Sequence, residues 1–187
     1  MNITHSNNGK KAIHLQLREF PALGKEGYQM EVSPSSIRIT AQSRQGIVYA
    51  LQTLIQFLPA VRTNEVLTVP ALYINDVPAF PWRGILLDVC RHYFSPELIE
   101  QFIDLLSAYK MNTLHWHLTD DQGWRVEIKK YPALTATGAW RVDHSNRIWG
   151  ERPQALPGEK PTYGGYYTQE QIRALVQYAA QRGIRIV

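Results

Sequence analysis

A single cysteine, Cys90, in 187 residues rules out an intrachain disulfide framework. It stands in the apolar run "GILLDVC", where a small buried hydrophobe is the expected role and a nucleophile is not. Long hydrophobic runs are missing as well. No window approaches the ~20 apolar residues of a membrane span, and "MNITHSNNGKK" lacks the apolar centre of a signal peptide. Charge of one sign is nowhere gathered: 20 Lys plus Arg against 16 Asp plus Glu leave a net charge of +4, spread as singles and pairs rather than as a stripe that could track phosphates. Neither nucleic acid nor a membrane is therefore an expected partner. What is there is the composition of a globular chain, whose 44% hydrophobic residues suffice to bury a core.

The chain divides at "NDVPAFPWRG", where Pro78 and Pro81 interrupt both helix and ladder pairing. Residues 1–78 read as a small α+β domain with no convergent polar cluster. "AIHLQLREF" and "GYQMEVSPSSIRITAQ" alternate apolar and polar residues, as half-buried strands of a small antiparallel sheet would. "GIVYALQTLIQFL" follows with Ile47, Leu51, Leu54, Ile55 and Leu58 at helical spacing, a stripe that stops before Pro59.

Residues 79–187 have another texture. "WRGILLDVCR" is a near-continuous apolar run, as in a parallel strand buried on both faces. A helix then opens at Ser95 with Pro96 and Glu97, suited to the N-cap, the first helical position and the positive helix end. Its predicted buried face is Leu98, Phe102, Leu105, Leu106 and Tyr109. "NTLHWHLTD" is the second strand. Thr168 and Gln171 form a capping box for another helix with Ile172, Leu175, Val176 and Ala179 as its stripe; Gly183 stops it, and "IRIV" begins a third strand. The order β-α-β-loop-α-β points to an α/β fold, either a doubly wound sheet or a barrel. A closed barrel takes roughly 250 residues, so the chain is expected to be part of a longer protein, with an open third strand prone to association.

Functional groups in such folds close the strands at their C-terminal ends, which here means Arg91, His92, Asp120 and Asp121. His115 and His117, two apart, share a strand face and could ligate a metal; lying before Leu118 and Thr119, they read better as buried, hydrogen-bonded histidines. Asp120 and Asp121 point to opposite sides, so they do not form a shared-proton pair. They either take separate roles or bind the amides of the following turn.

"RGILLDVCRHYF" with "MNTLHWHLTDDQGWRVEIKKYPALTATGAWR" closely resembles the start of the catalytic barrel of family 20 glycoside hydrolases, the β-N-acetylhexosaminidases, over about sixty residues. "GYQMEVSPSSIRITAQSRQGIVYALQTLIQFL" is similar to the small α+β domain that precedes that barrel, while "RIWGERPQALPGEKPTYGG" is the least characteristic part. The resemblance implies the first three strands of a (β/α)8 barrel. It also implies exo-acting, retaining hydrolysis of terminal β-linked N-acetylglucosamine or N-acetylgalactosamine, with the substrate's own acetamido oxygen as nucleophile and no cofactor or metal. Arg91 matches the arginine that donates to hydroxyls of the non-reducing sugar, its fork of N–H groups suiting two neighbouring acceptors. Asp120 matches a supporting carboxylate that holds a histidine from the next strand, and through it the catalytic acid. Asp121 is expected to anchor the turn, and Trp116 to pack in the barrel. Trp124 and Trp149 are expected to stack on sugar or cover the rim. The family's opening strand and helix, its Pro-Gly-His motif and its catalytic Asp-Glu pair have no counterpart in this sequence, so the 187 residues alone are expected to be inactive. A metal-dependent barrel hydrolase and a non-catalytic carbohydrate-binding protein are the alternative readings.

Overall fold

Tyr28, Met30 and Val32 alternate with Gln29 and Glu31, and in the computed structural model that alternation puts the first three into a core and leaves the other two outside it. The structure describes residues 2–3, 12–59, 68–144 and 146–187. They fall into two units, residues up to 83 with 107–110, and residues 84–106 with 111–187. Among the described residues no helix is long and apolar enough to cross a membrane.

In the first unit a five-stranded sheet runs in the order β1 (Asn2–Ile3), β2 (Ala12–Leu17), β4 (Ser36–Ala41), β3 (Tyr28–Val32), β5 (Leu72–Asp76). It is mixed rather than antiparallel. β3 and β4 pair as a hairpin through Ser33–Ser36, whereas β2 lies on the far side of β4 and runs parallel to it, Ala12 opposite Ser36 and Leu17 opposite Ala41. Alternation reports the faces of a strand but not its direction, which explains the difference. β5 escaped the sequence reading because "LYIND" is short and runs into Pro78.

Helix α1 (Arg44–Gln56) starts at Ser43, whose Oγ accepts from the amides of Gln45 and Gly46 at 3.0 and 3.4 Å. It packs Tyr49, Ala50 and Leu54 against Met30, Ile39 and Ala41. The buried face is thus rotated from the predicted stripe: Ile47 and Leu51 lie at its edge, and Ile55 is exposed. Gly46 permits the close approach, since a β-carbon there would stand 2.4 Å from the Gly27 carbonyl oxygen. Polar groups in this unit pair with one another. Arg83 donates to Glu26 and Tyr49, both at 2.9 Å, and Lys110 donates to Asp76 at 2.9 Å and Tyr28 at 3.1 Å.

The second unit holds three parallel strands in the order β12 (Arg185–Ile186), β7 (Thr113–His117), β6 (Gly84–Asp88), joined through helices α2 (Pro96–Ala108) and α4 (Gln169–Gln181); the connection between β7 and α4 carries the two-residue strands β8 (Thr119–Asp120), β9 (Gly123–Trp124), β10 (Trp140–Arg141) and β11 (Tyr163–Gly164) and the one-turn helix α3 (Ala133–Ala136). Leu114 and Trp116 of β7, Ile99, Ile103 and Leu106 of α2, and Leu175 and Ala179 of α4 form one core with Val89 and Tyr167. Two expectations change here. On α2 the buried face is Ile99, Ile103 and Leu106, while Leu98, Leu105 and Tyr109 are exposed, because this helix carries two overlapping apolar stripes and packing selects one. Among the described residues strand β6 pairs with β7 alone, and its Leu86 is 54% exposed where the sequence reading expected burial on both faces. The ends of α4 follow the local signals: both halves of the Thr168–Gln171 capping box form, and Gly183 turns at φ 73°.

Candidate active site

Strand β6 ends on an aspartate that folds the chain back. Asp88 Oδ1 accepts from the amides of Cys90 and Arg91 at 2.9 and 3.2 Å, an Asx-type turn that brings the Arg91 side chain over its neighbours. Arg91 Nη1 then lies 3.1 Å from Asp88 Oδ2 and 2.7 Å from Asp120 Oδ2. His117, the last residue of β7, places Nε2 2.9 Å from the same Asp120 oxygen. The two hydrogens of Nη1 serve the two carboxylates, so the His117 Nε2–H is left to donate to Asp120. The Asp121 amide donates to Asp120 Oδ1 at 2.8 Å. That amide first, then His117 and, more weakly, Arg91 hold the Asp120 carboxyl at about 2.

Both sequence-predicted site residues, Arg91 and Asp120, therefore meet across two strand ends. The Arg91 Nε and Nη2 groups have no partner among the described residues and the side chain is 37% exposed, so two donors of a rigid fork remain available to a ligand. His117 and Asp88 belong to the same cluster; the sequence reading took His117 as a metal ligand or a buried, hydrogen-bonded histidine. Asp88 was legible as the residue closing an apolar run three positions before an arginine. Of the two histidines expected to be buried and hydrogen-bonded, His117 is half-buried at the strand end and bonded to Asp120, while His115 is exposed; both take the face of β7 opposite the Leu114–Trp116 core.

A second arginine organises the same turn from beneath. Arg125 is only 1% exposed, and among the described residues its guanidinium meets no carboxylate; it donates to the carbonyls of Val89 (3.0 Å), Cys90 (2.8 Å), Ala139 (2.5 Å) and Gly165 (3.0 Å). Burial lowers its pKa from the ordinary arginine value. Glycines make room for this cage: a β-carbon on Gly123 would stand 2.7 Å from Arg125 Nη2, and one on Gly164 only 1.9 Å from the Ala139 oxygen. Sequence reasoning missed Arg125, whose partners are backbone atoms far along the chain.

Asp88, Cys90 and His117 offer three potential metal-ligand atoms within 4.8 Å of one another. The chemistry disfavours a cation there. The Arg91 Nη1 sits 3.1 Å from both Asp88 Oδ2 and His117 Nε2 with a permanent positive charge, and burial, followed by Asp88, pushes the Cys90 thiol up to about 11, so no thiolate forms at neutral pH. Among the aromatic candidates, Trp116 is buried against Tyr167 with ring centroids 4.6 Å apart. Trp124 spends its indole N–H on the Val126 carbonyl at 2.7 Å. The Trp149 side chain lies outside the described residues.

Comparison with known proteins supplies the context for this geometry. Residues 80–187 match the model described as "Glycosyl hydrolase family 20, catalytic domain", and residues 1–77 match "Glycosyl hydrolase family 20, domain 2". The chain is 43% identical over 181 residues to a beta-hexosaminidase of Porphyromonas gingivalis, covering 94% of the chain and 22% of that protein. It is 45% identical over 172 residues to a beta-hexosaminidase of Vibrio furnissii, covering 91% and 27%. Among solved structures it is similar to the GH20 exo beta-N-acetylglucosaminidase of Vibrio harveyi in complex with N-acetylglucosamine, with 42% identity, a TM-score of 0.80, and coverage of 97% of this chain and 27% of that one. The N-acetyl-beta-hexosaminidase of Streptomyces plicatus in complex with Thio-NAglucal follows at 35% identity and a TM-score of 0.76, covering 94% and 33%. The chain thus spans about a quarter of the length of the curated relatives it matches. With these likenesses, β6-α2-β7-α4-β12 are the first three strands and connecting helices of a (β/α)8 barrel, preceded by an α+β domain.

Proposed function

Because the chain belongs to glycosyl hydrolase family 20, we propose that the protein carrying it is an exo-acting β-N-acetylhexosaminidase. Its substrate is a glycan or oligosaccharide, such as chitobiose, ending in β-linked N-acetylglucosamine or N-acetylgalactosamine. We place the boundary between its small domain and its barrel at residues 78–79. The observation that carries the reading is Arg91: one nitrogen is clamped by two carboxylates and two donors remain open at the C-terminal mouth of barrel strands.

In this reading the residues of the chain bind and orient. Arg91 donates from Nε and Nη2 to adjacent hydroxyls of the terminal sugar, a planar pair of bonds that fixes the ring. Asp120 stays ionised, aligns Arg91 and His117, and supplies the charge against which a further histidine would be oriented. The reaction proceeds with retention: the acetamido oxygen attacks the anomeric carbon as the leaving oxygen is protonated, and water then opens the cyclic intermediate. The 187 residues contain no adjacent Asp-Glu pair, so the acid and the acetamido-orienting aspartate are contributed by other parts of the protein.

The test uses the full-length protein. It should release the chromophore of an aryl β-N-acetylglucosaminide with or without a chelator, give the β-anomer first, and be inhibited by a thiazoline mimic of the cyclised acetamido group. Turnover abolished by a chelator and restored by zinc would overturn the proposal in favour of metal-dependent hydrolysis. Sugar binding without turnover would make the protein a carbohydrate-binding relative.

A further inference from the structure

The stretch that the sequence reading found least characteristic, residues 147–165, ends on the second strand of a short strand pair whose first strand precedes it. Strands β10 (Trp140–Arg141) and β11 (Tyr163–Gly164) pair antiparallel, with Arg141 directly opposite Tyr163. Both residues of that cross-strand pair reach the turn after β6. Arg141 Nη2 donates to the Arg91 carbonyl oxygen at 2.5 Å. Its guanidinium carbon lies 4.6 Å from the centroid of the Tyr163 ring, and the Tyr163 hydroxyl hydrogen-bonds Nδ1 of His92, the next residue along. The His92 and Tyr163 rings meet edge to face with centroids 5.5 Å apart. On its other side, the Arg91 amide is held by Asp88 Oδ1 at 3.2 Å.

Arg91 is therefore gripped at its main-chain nitrogen, at its main-chain oxygen and at Nη1, and only the oxygen depends on the strand pair. We propose that Arg141, braced by Tyr163, is a positioning residue that acts on substrate through Arg91. This inference rests on the reading of Arg91 as the sugar-binding arginine. The physical reason is geometric. A guanidinium binds two neighbouring hydroxyls well only within a narrow orientation, and an arginine side chain has several rotatable bonds between that fork and its backbone. Fixing the peptide that carries the side chain removes one source of play, and the carboxylates on Nη1 remove another. The planar Arg141 group suits the task because one face covers the Tyr163 ring while an edge N–H reaches the carbonyl.

The test is a double-mutant cycle in the full-length enzyme, read as kcat/KM on an aryl β-N-acetylglucosaminide, with thermal unfolding followed in parallel. Arg141→Ala should lower kcat/KM by about 10- to 30-fold in the Arg91 background, and by less than about 2-fold once Arg91→Ala is present. Arg141→Lys, which can still donate to the carbonyl but lacks the planar face, should recover part of the loss. If Arg141→Ala prevents folding, Tyr163→Phe, which removes one hydroxyl, replaces it in the cycle with an expected loss of about 3-fold. Losses that multiply independently of Arg91, or a folded Arg141→Ala enzyme with unchanged kcat/KM, would overturn the positioning role. A silent Arg91→Ala would instead sink the underlying reading of Arg91, a separate outcome.

Discussion

The carbonyl cage around Arg125 and the carboxylate cluster around Arg91 serve the same turn, yet they use the same side chain in opposite ways. Arg125 is sealed off, donates to neutral backbone acceptors and ties together Val89, Cys90, Ala139 and Gly165. Arg91 is part-exposed, takes charged acceptors on one nitrogen and leaves two donors open. A buried charge surrounded by carbonyls gains several charge-assisted hydrogen bonds without needing a second desolvated charge, so it suits a structural tie. A part-exposed charge between carboxylates gains little stability, because solvent screens the pair, but it holds an orientation that a ligand can use. The contrast predicts that one arginine carries stability and the other carries function.

The largest effect should come from Arg125→Met. It strands four buried carbonyls at about 1–3 kcal/mol each, offset in part because the desolvated charge is removed too, so a loss of roughly 3–5 kcal/mol is expected in denaturant unfolding of the full-length protein. An unchanged unfolding midpoint would mean that the cage is not the tie described. Arg91→Ala should behave inversely: a charged, two-donor contact is worth roughly 2–4 kcal/mol in the transition state, so kcat/KM should fall about 30- to 1000-fold while the unfolding midpoint barely moves. A stability loss as large as that of Arg125→Met would erase the distinction between the two regions.

Asp120→Asn sharpens the comparison further. The amide keeps the shape but not the charge that aligns Arg91 and His117, so a loss of about 10-fold in kcat/KM is expected with near-normal unfolding. Wild-type kinetics would limit Asp120 to its bond with the Asp121 amide. The smallest effect is on acid stability. The Asp120 carboxyl is lowered from 3.8 to about 2, so its contribution is present above the unfolded value and fades as pH falls through about 2. Unfolding curves of wild type and Asp120→Asn should converge below that pH and differ by a constant small amount above about pH 4. Convergence near neutrality would show that another group titrates.

The two regions also differed in how readable they were. Arg91 and Asp120 close apolar runs in a specific strand-end pattern, so their candidacy was visible from residue order. Their contact with His117 was not, because it depends on the pairing of β6 with β7, which sets His117 opposite Asp88. Arg125 gave no signal: a buried arginine usually implies a carboxylate, and its acceptors are main-chain atoms 14 to 40 residues away.

By itself the sequence determined what local forces decide. Ser43 and the Thr168–Gln171 box cap their helices, Gly183 takes the left-handed turn, and period-two alternation marks β3 and β4. These depend on atoms within four residues of each other and survive wherever the segment is placed. Tertiary structure alone decided that β2 runs parallel to β4, that α2 buries Ile99 and Ile103 in place of Leu98 and Leu105, and that one arginine is caged while another stays open. Each of those outcomes selects among locally equivalent options. Two apolar stripes have similar transfer energies, and a guanidinium accepts any well-aligned oxygen, so the choice falls to whichever distant segment packs close enough to exclude water.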